Sequence, residues 1–76
     1  SENANREELL RHLRSAMSKM ADGDRSLLIR RHLEQQSVEQ IAASEHTTRT
    51  VITSRHLRAL RRLRRMLELE LRGSKR

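Results

Sequence analysis

The sequence predicts an all-α domain: four helices in a helix-turn-helix arrangement, the last of them long. Three observations predict it. There is no Pro and there are two Gly, Gly23 and Gly73, in 76 residues, so few residues break a helix. Leu and Arg, both good helix formers, dominate. Apolar residues recur every three or four positions instead of alternating. A chain of this length is one domain, 1–76, and buries only about 60% of its unfolded surface. With no Phe, Tyr or Trp, its core is built from Leu, Ile, Val, Met and Ala.

The first helix is expected over about 6–20. Leu9, Leu10, Leu13, Met17 and Met20 form its stripe, Asn5 is placed to cap it, and Glu7 and Glu8 suit the positive end of the helix dipole. Ala21-Asp22-Gly23-Asp24 is a break, with Asp22 or Asp24 as cap of a second helix over about 24–35 that carries Leu27, Leu28, Ile29 and Leu33. Ser37-Val38-Glu39-Gln40 is a capping box. It starts a short helix over 38–44, with Ile41 and Ala42 inward. Glu45-His46-Thr47-Thr48 is a polar turn, and Thr48 caps the last helix, about 49–71. On a helical wheel Met66, Ala59, Ile52, Leu63, Leu67, Leu60 and Leu71 gather on one face. Thr50, Ser54, Arg61, Arg65, Arg58, Arg62 and Arg55 gather opposite. His56 falls on the packing face as a half-buried structural residue. Gly73 stops the helix, and 73–76 reads as a flexible basic tail.

Absences narrow the function. There is no Cys, so disulfides and thiolate metal sites are excluded, as suits a reducing intracellular compartment. No apolar run approaches the roughly 20 residues that cross a bilayer. The first residues are polar and partly acidic, unlike a signal peptide; a chain starting at Ser1 is expected to be a fragment excised from a longer one. No Gly-rich loop is present, and none of His12, His32, His46 and His56 stands three or four residues from another. The expectation is therefore no enzyme, no cofactor and no metal site.

The net charge is +7, unevenly spread. Residues 1–47 hold seven Lys/Arg against eight Asp/Glu, a net of −1, and residues 48–76 hold ten against two, a net of +8. Nine of those ten basic residues are Arg, whose planar fork suits phosphates and guanine edges. A polyanionic partner follows. A short helix, a tight turn and a longer helix make a helix-turn-helix unit, and an α-helix fits the major groove of B-DNA. The first turns of the last helix show Arg49, Thr50, Thr53 and Ser54 to bases, with Arg55 and Arg58 within reach of phosphates. The amides around Ser37 and Val38 are further phosphate donors.

The chain resembles the C-terminal promoter-recognition domain (region 4) of bacterial sigma factors of the extracytoplasmic-function type. The resemblance lies in Met20-Ala21 and Asp24-Arg25-Ser26-Leu27-Leu28, in His32-Leu33-Glu34, in Ser37-Val38-Glu39-Gln40-Ile41-Ala42, and in Ser54-Arg55, Arg58-Ala59-Leu60 and Leu63-Arg64, all in register from Met20 to Leu67. The chain departs from the family at the turn, where Glu45-His46-Thr47-Thr48 replaces Leu-Gly-Ile-Ser, and at His56-Leu57, where the order is reversed. His46 then takes a bend that glycine serves at lower cost. The resemblance implies cytoplasmic work on the bacterial nucleoid. It implies double-stranded promoter DNA bound at the −35 element, docking on the β flap of core RNA polymerase, and an anti-sigma protein able to cover the same surface. Matched positions make Ser37, Thr53, Ser54, Arg55 and Arg58 DNA-side residues; Arg49 and Thr50 come from wheel geometry alone. Open alternatives are the output domain of another helix-turn-helix regulator, a helical protein-interaction module, and a basic amphipathic helix on an anionic membrane, against which the lack of aromatic anchors argues.

Overall fold

The computed structural model describes residues 2–73. The order is α1 (Glu2–Ser18), α2 (Asp22–His32), α3 (Val38–Ser44) and α4 (Arg49–Gly73), with no strand among the described residues. Helix α4 runs two residues beyond the expected end at Leu71 and contains Gly73, so Gly73 neither stops the helix nor begins the expected tail 73–76; residues 74–76 lie outside the described ones.

Helix α4 is the spine: α1, α2 and α3 each pack chiefly on it. Its 25 residues run about 37 Å at 1.5 Å per residue, which accounts for most of the 45 Å long dimension. The core divides into two clusters along this spine. Leu27, Ile41, Ala42 and Ile52, with Val38 against them, join α2, α3 and α4. Met20, Leu28 and Ala59, with Met17 and Leu63 against them, join α1, α2 and α4.

The two short-range motifs at α3 and α4 form as expected. Ser37 accepts the Gln40 N–H at 3.0 Å and its own N–H donates to Gln40 Oε1 at 2.7 Å, closing the capping box. Thr48 Oγ1 accepts the Val51 N–H at 3.2 Å and so caps α4. Between them α3 ends in a Schellman turn: Thr47 N–H reaches Ala42 O at 2.9 Å and His46 N–H reaches Ala43 O at 3.3 Å. His46 takes the left-handed position, φ 55°, where glycine is usual.

The other helix ends depart from expectation. Helix α1 begins at Glu2, so Asn5, Glu7 and Glu8 lie inside it and Asn5 is not its cap. It stops at Ser18 rather than residue 20, because Lys19 and Met20 close tighter turns onto Ala16 O and Met17 O. Helix α2 begins at Asp22 after Ala21, which offers no side-chain cap. Asp22 and Asp24 instead occupy its first turn, where the helix dipole favours them. It ends at His32, three residues early, as the chain turns through Gln35 (φ 55°) and the Gln36 N–H reaches back to Arg30 O at 2.8 Å.

Several expected core positions are exposed. Leu9 and Leu10 remain open because α1 runs antiparallel to α4 and His12 already lies beside Gly73. Leu33 sits past the end of α2 and is 75% exposed. Leu60 and Leu71 lie at the margins of the α4 stripe and are open, while Leu63, Met66 and Leu67 are half-buried. Ala16, read as no part of the stripe, is fully buried.

A left-handed conformation costs a non-glycine residue about 1–2 kcal/mol. Replacing His46 by Gly removes that cost and adds unfolded-state entropy. The His46→Gly variant is expected to gain about 1 kcal/mol in a urea titration, and a loss would show that the imidazole holds the turn.

Candidate nucleic-acid interface

The α3–turn–α4 unit brings the expected residues to one end of the molecule. Arg49, Thr50, Thr53 and Ser54 are exposed on the first turns of α4. Their backbone is fixed by the Thr48 cap and by Ile52, which anchors the same turns in the core. Arg55 and Arg58 lie further along, with Arg62 one turn beyond. These three arginines line a cleft between α4 and the start of α2, closed by Asp24, Ser26 and Glu45.

Three of these four arginines are paired. Arg49 Nε is 3.0 Å from Glu39 Oε1. Arg55 Nη1 is 3.2 Å from Glu45 Oε1, and the other oxygen of the same carboxylate takes Arg30 Nη1 at 3.0 Å. Arg62 Nη1 is 2.6 Å from Asp24 Oδ2. Each partner acid comes from α2, α3 or the turn, so the basic excess of α4 is partly neutralised across helices. Arg58 has no ion-pair partner among the described residues. Exposed pairs of this kind are worth about 0–1 kcal/mol, so a phosphate can displace them.

Ser37 is occupied by the capping box through both its hydroxyl oxygen and its amide. The Glu39 carboxylate bonds its own backbone N–H. That bond, and then the Arg49 guanidinium, hold it below the usual carboxylate value. The start of α3 thus presents a carboxylate where free amide donors were expected, and the phosphate contact read there from sequence is largely taken up internally.

The sequence reading missed Glu39, Glu45, Asp24 and Arg62 as partners, and it missed a histidine contact. His32 and His56, 24 residues apart, bring their Nε2 atoms to 2.9 Å with ring centroids 5.0 Å apart. Helical spacing within one helix held no sign of a contact made across two. Among the described residues no group of three or more His, Cys, Asp or Glu could hold a metal ion, and no helix is long and apolar enough to cross a membrane. No family model, no curated protein and no solved structure matches the chain.

Burial first, then His32 and the charge of Arg31, hold the His56 imidazole below its ordinary value of 6.5. The folded protein therefore binds this proton less readily than the unfolded chain. Stability that is complete above pH 6.5 is lost as pH falls from there through the lower folded value. Between pH 7.5 and 5.5 the urea midpoint of the wild type is expected to fall more than that of His56→Gln. Equal falls would show that this ring does not carry the effect. Glu39 and Glu70, held below 4.5 by their bonding partners, act only at lower pH.

Proposed function

We propose that the chain is a binding module for double-stranded DNA in transcription initiation, a region-4-type domain that reads the −35 promoter element and docks on the β flap of core RNA polymerase. The observation that carries the reading is the α3–turn–α4 unit. A Schellman turn and a Thr cap fix the angle at which α4 leaves the domain, and its first turns present Arg49, Thr50, Thr53 and Ser54 to solvent on one exposed end. In this reading Arg58 and Arg55 contact phosphates, while Ser37, its oxygen in the capping box and its hydroxyl hydrogen shared with the Glu39 carboxylate, contributes little. The apolar groove lined by Leu13, Met17, Leu28, Leu33, Leu60 and Leu63 offers the docking surface for the flap, and an anti-sigma protein would cover the same leucines. Such a domain works in the cytoplasm, on the nucleoid.

A second reading is a helical protein-interaction module. The carboxylates of Glu39 and Glu45, which offset two of the DNA-side arginines, and the exposed leucines favour it. The two separate on duplex binding. Log affinity of a DNA binder falls linearly with log salt, by about 0.9 per phosphate neutralised. Arg58→Ala should reduce that slope by about 1 and weaken all duplexes alike, whereas Arg49→Ala or Thr53→Ala should change the preferred sequence. No duplex binding at low salt, combined with capture of the β flap, would leave the protein-interaction reading standing.

Glu45 gives a further test of the same surface. Its carboxylate holds Arg55 and faces the approach of a phosphate. Glu45→Gln is expected to tighten duplex binding several-fold at low salt, with the difference shrinking as salt screens it. Unchanged or weaker binding, measured by fluorescence anisotropy, would take Arg55 out of the interface.

A further inference from the structure

His32 is the last residue of α2 and His56 lies two turns into α4. Their Nε2 atoms stand 2.9 Å apart, with the rings inclined by 29°. In this contact one Nε2 carries a hydrogen and the other offers its lone pair, so one proton occupies the space between two imidazoles. If both rings carry hydrogen on Nδ1, two lone pairs converge on that space. A divalent transition-metal ion binds imidazole nitrogen at about 2.0–2.1 Å, so two such ligands at a right or tetrahedral angle stand roughly 2.9–3.4 Å apart. The observed separation is at the near edge of that range, and a small opening of the rings completes it.

The surroundings suit a weak, open site. His32 is exposed and His56 half-buried, so water can fill the remaining positions. Imidazole selects ions such as Zn2+, Ni2+ and Cu2+, whereas Mg2+ and Ca2+ prefer oxygen. The Arg31 guanidinium is the nearby opposing charge, and its Nη1 is already engaged by the Gln36 carbonyl at 2.8 Å.

We propose that His32 and His56 form a two-imidazole site for a divalent transition-metal ion, which ties the end of α2 to α4. On binding, the shared hydrogen moves to the Nδ1 side of its ring and both Nε2 lone pairs are donated to the ion. The site exists only in the folded chain, since the two residues are far apart in sequence. Binding therefore raises the folded-to-unfolded ratio by about 100-fold at a hundred times the dissociation constant.

The test is a urea titration of the 76-residue chain at pH 7.5 with NiCl2 or MgCl2. The midpoint should rise with NiCl2 and not with MgCl2. His32→Gln and His56→Gln should each abolish the rise, while His46→Gln and His12→Gln keep it. His12 is the needed control, because its Nε2 lies 3.8 Å from Glu8 one turn back and that pair is a rival ligand set. On the wild type, ZnCl2 should shift the imidazole nitrogen resonances of His32 and His56 together. No midpoint rise at millimolar NiCl2, a rise surviving in either variant of the pair, or resonance shifts confined to His12 or His46 would each overturn the site.

Discussion

Ile52 and Ala59 stand seven residues apart on α4, and neither exposes any surface. Seven residues are close to two helical turns, so both point from the same face into different neighbours. Ile52 fills the space between α2 and α3. Ala59 presents almost no side chain, which lets Met20, just past the end of α1, and Leu28 of α2 close over it. Each of the two core clusters is built around one of these residues. A thin core without aromatic residues has few large side chains to redistribute, so a cavity at Ile52 would cost on the order of 2–5 kcal/mol, a large share of the stability of a small domain. The first turns of α4 are held by that same Ile52, and the candidate interface is therefore as firm as the core beneath it.

What the sequence disclosed depended on the range of the interaction. The capping box at Ser37 and the cap at Thr48 are each completed within three residues, and both were legible, as were the bounds of α3. The all-α class and the long final helix followed from periodicity alone. The starts of α1 and α2 were misplaced because Asn5, Asp22 and Asp24 all have the chemistry of a cap. Nothing local says whether a residue sits just outside a helix or within its first turn. Leu9, Leu10 and Leu33 were read as core from spacing, yet their burial depends on where a partner helix ends.

The candidate site was legible as a set of residues and illegible as an electrostatic arrangement. Residues 48–76 counted alone look strongly basic. In the folded chain Glu39, Glu45 and Asp24 meet Arg49, Arg55 and Arg62 from other helices, and only tertiary structure makes those encounters. Glu45 was visible as a departure from the turn of the family that the sequence resembles. Its carboxylate bridging Arg30 and Arg55 was not. His32 and His56 likewise lie 24 residues apart in sequence and in contact in space.

The continuity of α4 has a mechanical consequence. No Pro and no Gly interrupts it before Gly73, so it transmits displacement as a rod. The far half is gripped by α1 through Met17 and Ser15 and by Lys19 just after it, the last two on Glu70. The near half carries the turns that face outward at Arg49. A tilt of about 5° imposed at the α1 end would move the opposite tip by roughly 3 Å over a helix of this length. That distance is comparable to a hydrogen bond. Because Ile52 is held between α2 and α3 close to that tip, those two helices would have to move with it, so a load on the α1 end reaches the Arg49 end only as a displacement that all of them share.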